Sequence, residues 1–375
     1  MATVIRSACI AAPRRRVTQP LYTSPPRGHP NSNRTRKETS LLPRAVVPEA
    51  SRLSGVSSGR PAETCAGERE PDLAERITRA ASKQSYYTIR LLVDRCRVAD
   101  AFRSYAYFRW VDDMLDEMLS APQERLDFIE RQRAILDACR NGTTPPDLTA
   151  EEALLSELIA GNARQPDGLH CYLVNMMAVM SFDARRRWHV VSQQALNDYS
   201  RWLATAVTEA LHFFIGHDCP TPHNQTRYRA ATAAHISHML RDSAADIAAG
   251  YFNIPHEFLL AHDLDPCDLE NEAYRQWAQS RVALARDYFS AGKRYLRQVP
   301  NLRCRLAGYA YIARFTGVLD ALERDGFRLR TDYSTQTGLA AELRHGGMIL
   351  FFTLDSTRSG AALRAILHSL SRSTR

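Results

Sequence analysis

No apolar stretch in this 375-residue chain approaches the roughly 20 residues that cross a bilayer; the nearest is the seven-residue Met348 to Leu354. An integral membrane protein is therefore not expected. The eight cysteines, at positions 9, 65, 96, 139, 171, 219, 267 and 304, form no C-x-x-C pair and no ladder of short spacings. They read as reduced, mostly buried thiols in a reducing compartment, not as a disulfide framework. Cys219 near His212, His217 and His223 is the one cluster of metal-like composition, and a polar helix end accounts for it better than zinc does. Strand-like alternation is almost absent, and no nicotinamide-binding G-x-G-x-x-G occurs.

Acids are scarce in one region alone. Residues 1–60 hold 11 Lys and Arg against Glu38 and Glu49, a charge of +9, whereas the rest of the chain sums to −1 and the whole to +8. A nearly neutral body is not built around phosphate polymers, so no nucleic-acid partner is expected. Residues 1–70 are rich in Arg, Ser, Pro and Thr, with Arg14-Arg15-Arg16 and Pro25-Pro26, and show no hydrophobic period. Such a segment buries too little surface to offset its chain entropy and is expected to be disordered. Its composition suits an organelle transit peptide as well as a native arm. The expected location is cytoplasmic or peripheral at a membrane, or an organelle if the arm directs import.

Residues 71–334 carry what is present: apolar residues three and four apart. Ala101, Phe102, Tyr105, Ala106, Phe108, Val111, Leu115, Met118 and Leu119 fall on one helical stripe. Further helices are expected over Gln123 to Cys139, Glu151 to Ala163, Leu196 to Ile215, Tyr228 to Ala249, Glu272 to Gln298 and Arg303 to Arg324. The fold class is all-α, a single large helical bundle able to surround a cavity. Residues 335–375 form a basic tail with a short amphipathic segment, Ala361 to Leu370, expected to pack on the core in preference to touching a membrane surface.

Two acidic motifs stand out. Asp112-Asp113-Met114-Leu115-Asp116 sets Asp112 and Asp116 at i and i+4, and Asp242-Ser243-Ala244-Ala245-Asp246 repeats that spacing on a second helix. Like charges so placed destabilise a helix by roughly 0.2–0.5 kcal/mol unless something neutralises them. A hard divalent cation does so, and Mg²⁺ binds one or two carboxylates while completing its shell with phosphate oxygens. One such string is what chance and a solvated helix face supply. Here both lie in apolar-periodic helices, and each has an Arg beside it, Arg109 and Arg241, able to grip phosphate oxygens. The pairing points to a diphosphate made into a leaving group.

These segments resemble the squalene and phytoene synthases, which join two prenyl diphosphates head to head. Ser82-Lys83-Gln84-Ser85-Tyr86-Tyr87 is similar to the family's S-K-x-F-Y, and Tyr105 to Asp116 to its Y-A-F-x-R-x-x-D-D-x-x-D helix. Tyr199 to Glu209 is similar in placement to Y-x-x-x-V-A-G-x-V-G-E. Met239 to Asp246 followed by Gly250-Tyr251-Phe252-Asn253-Ile254-Pro255 is similar to N-I-x-R-D-x-x-x-D and G-R-x-Y-x-P. The resemblance covers about residues 78 to 330. It implies an isoprenoid synthase-like bundle around a deep apolar pocket with the acidic motifs at its mouth. It also implies farnesyl or geranylgeranyl diphosphate as substrates, and a cyclopropylcarbinyl diphosphate formed after Mg²⁺-assisted loss of diphosphate. By that carry-over Asp112, Asp116, Asp242 and Asp246 hold Mg²⁺, Ser82, Lys83, Arg109 and Arg241 bind diphosphate, and Tyr105 sits beside the reacting carbons. NADPH is compatible with the family but nothing in the chain indicates it. Tyr105, Phe108, Trp202, Phe213 and Phe214 are candidates for facing a carbocation, with core packing the ordinary role of each.

Three departures bear on the chemistry. His235 and His238 stand where the family carries Gln and Asn, and imidazole is a poorer Mg²⁺ ligand than an amide oxygen; both are expected to bind substrate, with His238 either altering the metal site or donating a proton or hydrogen bond to phosphate. The glycines of V-A-G-x-V-G-E are replaced in Leu203-Ala204-Thr205-Ala206-Val207-Thr208-Glu209, and Ala81 stands where a phosphate-side His is common. Two other readings keep the same fold. One is a terpene cyclase or hydrolase acting on a single prenyl diphosphate; the other is a family member without catalysis that serves as an assembly or interaction protein.

Overall fold

The computed structural model describes residues 72–163, 167–215 and 223–329. The basic arm, the tail, His217 and Cys219 lie outside them. The described residues form eleven α-helices and no strand; an isolated parallel bridge between His189 and Tyr251 is their sole β feature. None of these helices is long and apolar enough to cross a membrane.

In chain order the helices are α1 Leu73–Ala81, α2 Lys83–Leu92, α3 Val98–Asp113, α4 Pro122–Arg140, α5 Ala150–Gly161, α6 Asp167–Arg186, α7 Gln193–Phe214, α8 Thr226–Ala248, α9 His256–His262, α10 Glu272–Leu296 and α11 Leu302–Arg324. Local chemistry sets their starts. Ser82 accepts from the Ser85 N–H to cap α2, and Ser192 and Asn301 cap α7 and α11 in the same way. Thr149 and Glu152 form a reciprocal capping box on α5. Pro122 opens α4, where no N–H is needed.

Six helices close a ring: α3 meets α6, α6 meets α7, α7 meets α8, α8 meets α11, α11 meets α2, and α2 returns to α3. α10 packs outside α8. There Gly292 permits a close crossing, since a Cβ at that position would lie 2.6 Å from the Ala230 Cβ. Tyr105, Phe108, Tyr172, Leu115 and Phe315 are fully buried within the bundle, and each aliphatic or Phe side chain so buried contributes about 1.5–3 kcal/mol.

A buried ion pair fastens α7 to α8. Arg227 grips both oxygens of Glu209 at 2.8 Å, Tyr228 donates to Glu209 at 2.9 Å, and Arg227 also reaches the Tyr295 hydroxyl of α10 at 3.1 Å. Burial opposes the Glu209 charge, yet the guanidinium outweighs it and holds the carboxyl below its ordinary range. Glu209, which closes the stretch beginning at Tyr199, is thereby a structural anchor.

The expected helix through Leu119 does not run unbroken. α3 ends at Asp113, and Met114–Met118 wind as one π turn closed by the Leu119 N–H on the Met114 carbonyl at 2.9 Å. Asp112 therefore lies on α3 and Asp116 in the π turn that follows it. The wider turn keeps Leu115 in the core while Asp116 reaches a different partner, a use of π geometry common at functional sites.

Candidate functional site

Tyr105 of α3 is 1% exposed, with Ser82 and Ser85 at the start of α2 beside its hydroxyl. Burial raises the pKa of that hydroxyl, while Ser85, Arg109 and Ser82 nearby pull the other way; the net shift is upward. Tyr105 thus stays protonated and keeps its O–H as a donor inside the ring. Lys83 is exposed.

One turn on, Arg109 is buried. It is bonded to Asp113 through Nε at 3.0 Å and through Nη2, and its Nη1 lies 3.8 Å from Asp112. Of the motif's acids it hydrogen-bonds the middle one, Asp113. Asp116 accepts from the Tyr251 hydroxyl at 2.8 Å.

On α8, Arg241 binds Asp242 side-on, Nε to Oδ1 at 2.7 Å and Nη2 to Oδ2 at 2.8 Å. His238 Nδ1 lies 3.0 Å from the same Oδ2, and His238 Nε2 lies 2.9 Å from Arg241 Nη2. Burial drives the His238 pKa down to about 3, so the ring is neutral and must carry its proton on Nδ1 to donate to Asp242. Burial works against the Asp242 charge as well, but Arg241 and His238 outweigh it and its pKa falls. His235 is enclosed, with its ring edge-on to Tyr199 and neither nitrogen hydrogen-bonded. It belongs to the core rather than to a phosphate.

The segment after α8 joins the two motifs. Gly250 has φ +86°, which turns the chain so that the Tyr251 N–H bonds the Asp246 carbonyl at 2.8 Å and the Asn253 amide donates to the buried Asp246 carboxylate at 2.7 Å. Asn253 accepts in turn from Arg186 at 2.9 Å; Arg186 pairs with Asp183 at 2.7 Å, and Tyr199 donates to Asp183 at 3.0 Å. The Arg186 guanidinium lies over the rings of Tyr199 and Tyr251. Tyr251 and Asn253 occupy the Arg and Tyr places of the similar G-R-x-Y-x-P.

Sequence reasoning missed two parts of this arrangement. Asp183 and Arg186 sit on α6, a helix buried on most sides, which lacks the polar stripe that reveals an amphipathic helix. Arg314 on α11 lies among Ile312, Ala313 and Phe315, all buried, and reaches back to Gln84 Oε1 at 2.6 Å. A cation interrupting an apolar stripe was the signal for it. Of the aromatic candidates, Phe108 and Phe214 stack edge-on against Tyr172, Phe213 lies under Arg97 and Trp202 against Phe182; these four pack as core.

Asp112, Asp116, Asp242 and Asp246 do not gather closely: among the described residues no group of three or more His, Cys, Asp and Glu side chains is placed to hold a metal ion. In kind the motif acids suit Mg²⁺, being hard carboxylate oxygens, with Asp116 and Asp246 oriented by one shared segment. Asp242 suits it less, since both of its oxygens already accept from Arg241 and His238.

The family model described as squalene/phytoene synthase matches residues 78–339. Among solved structures, the squalene synthase HpnC from Alicyclobacillus acidocaldarius is similar at a TM-score of 0.54 and 19% identity, covering 69% of this chain and 94% of that one. A dehydrosqualene synthase in complex with ligand is similar at a TM-score of 0.60 and 13% identity, covering 76% and 96%. No curated protein matches. At these identities the solved structures speak for the fold.

Proposed function

Because this chain belongs to the squalene/phytoene synthase family, we propose that it joins two prenyl diphosphates head to head through a cyclopropylcarbinyl diphosphate. The observation that carries the reading is the tie between the acidic motifs: Tyr251 bonds Asp116 with its hydroxyl and the Asp246 carbonyl with its N–H, while Asn253 orients the Asp246 carboxylate. Two motifs 130 residues apart in sequence thus touch one segment, which supports their acting together.

Asp112, Asp116 and Asp246 would hold Mg²⁺, with Asp242 free to join only when Arg241 turns from it. Bound there, Mg²⁺ supplies positive charge that stabilises a departing diphosphate. Arg109 and Arg241 bind diphosphate oxygens with charge-assisted hydrogen bonds. Tyr105, protonated, donates a further hydrogen bond to the leaving group. Once the first C–O bond breaks, the double bond of the second prenyl chain attacks the allylic cation, and loss of a proton closes the cyclopropane.

The test is incubation of the full chain with Mg²⁺ and farnesyl or geranylgeranyl diphosphate, with and without NADPH, followed by identification of the lipids. C30 or C40 hydrocarbons with a 1-1′ linkage support coupling. A second reading, a cyclase or hydrolase using one substrate, is favoured by the Asp242 carboxylate engaged by Arg241 and His238, which leaves fewer acids for metal. C15 or C20 products from a single substrate would establish it. Absence of any product, together with no thermal shift by Mg²⁺ and a non-hydrolysable prenyl diphosphate, would leave the assembly-protein reading.

A further inference from the structure

Arg314 is a partly buried guanidinium that forms no ion pair with any described carboxylate; its one hydrogen bond is to the neutral Gln84 side chain at 2.6 Å. Burial, with repulsion from nearby Arg241, lowers its affinity for its own proton, and the Asp242 charge offsets this only in part. Arginine keeps its charge regardless. Gln84 belongs to the first turn of α2, whose amides are partly positive and whose Ser82 and Ser85 face the buried Tyr105 hydroxyl. Donors from α2, α3, α8 and α11 thus face one another, and the one described carboxylate whose charge reaches Arg314, Asp242, is already held by Arg241 and His238.

We propose that Arg314 is a further anion-anchoring residue of this site, binding a terminal phosphate of a diphosphate together with Arg241, the N-terminus of α2 and the Tyr105 hydroxyl. The inference deepens the reading above and rests on it for the identity of the diphosphate, though not for the binding itself. It also gives a place to two departures: this chain has Ala81 in place of a phosphate-side His and a neutral His238 pledged to Asp242, so a cation from α11 replaces donors lost from α1 and α8. None of the similar motifs includes this position.

Inorganic pyrophosphate is the probe, titrated calorimetrically into the full chain with and without Mg²⁺. The parent protein is expected to bind it, and Arg314→Gln to bind it roughly tenfold to a hundredfold more weakly, with Arg314→Lys recovering part of the loss. Without pyrophosphate, Arg314→Gln is expected to melt no lower than the parent, because a like-charge contact with Arg241 is relieved. A structural role for the Arg314–Gln84 contact would do the reverse, lowering the melting temperature and leaving the affinity unchanged. Should Arg314→Gln not fold, Gln84→Ala releases the guanidinium without removing it and is expected to weaken binding severalfold. No binding by the parent, or variant affinities within twofold of it, overturns the inference. Pyrophosphate binding that depends on Arg314 in a protein making no coupled product would sustain it while ending the prenyl-coupling reading. Coupled product with an Arg314-independent affinity would do the opposite.

Discussion

The Tyr251 hydroxyl donates to the Asp116 carboxylate at 2.8 Å across 135 residues of chain, while the N–H of the same residue is bonded to the Asp246 carbonyl. Tyr251 therefore links the two acidic motifs. Tyr251→Phe removes the hydroxyl and leaves the ring beneath Arg186 in place. The expected loss of stability is about 1–2 kcal/mol, read by urea denaturation. Turnover of prenyl diphosphate is expected to fall by on the order of tenfold or more, with the helical circular-dichroism spectrum unchanged. Full turnover would show that Asp116 needs no such guide.

His238 and Arg241 together engage both oxygens of Asp242. His238→Asn restores the residue common in the similar motif, adds an amide oxygen, and removes the Nδ1–H from Asp242. The expected outcome is tighter binding of Mn²⁺ as a paramagnetic stand-in for Mg²⁺, by roughly threefold to tenfold, as one competing charge-assisted hydrogen bond disappears. Affinity that does not change, or that weakens, would mean that Asp242 takes no part in metal binding.

The helices α4, α5, α7, α8, α10 and α11 could be read from periodicity to within three residues of either end, because each shows one apolar face to the bundle. α6 could not. Leu169, Tyr172, Leu173, Met176, Met177, Val179 and Met180 bury most of its circumference, so its period is blurred and Asp183 and Arg186 went unnoticed with it. The acidic motifs were visible, as were Tyr105, Arg109 and Arg241, but their partners were not. Nothing in D-x-x-x-D announces the π turn that carries Asp116, because that turn depends on Leu115 finding the core. Nor does spacing show that Arg109 bonds Asp113, or that His238 faces Asp242 while His235 faces Tyr199. Those choices are made by burial, which local sequence does not encode.

Three buried rings set the acid side of stability. Burial holds His212 down at about 4, His238 at about 3, and His235 well below its ordinary value. In the unfolded chain each regains a pKa near 6.5. A folded value below the unfolded one means the stabilisation is complete above pH 6.5 and is lost as pH falls toward the folded values, at roughly 1.4 kcal/mol per pH unit for each ring. Denaturant midpoints at pH 7.5, 6 and 5 are expected to fall accordingly. His235→Leu removes one proton from that slope. Because neither His235 nitrogen has a partner, it is also expected to raise stability at pH 7.5 by about 1–2 kcal/mol. An unaltered slope would mean that His235 is protonated in the folded protein.

Gly250 is the residue on which the joining segment turns. Its φ of +86° is open to glycine and strained for an L side chain, and a Cβ there would lie 2.5 Å from the Trp188 ring. Trp188 cannot simply withdraw, because it too has a positive φ, 65°, and its N–H is bonded to the Gly250 carbonyl at 2.6 Å. Gly250→Ala must therefore move the backbone, and with it Tyr251 and Asn253, the donors that orient Asp116 and Asp246. The backbone penalty of roughly 1–2 kcal/mol and the overlap of about 1–3 kcal/mol add to an expected destabilisation on the order of 2–5 kcal/mol. Gly142, also at positive φ but with open space around its Cβ position, provides the control: Gly142→Ala is expected to lose the backbone portion alone and to keep full turnover. If Gly250→Ala loses stability yet turns over prenyl diphosphate as fast as Gly142→Ala, the joining segment supports the fold without setting the acidic motifs.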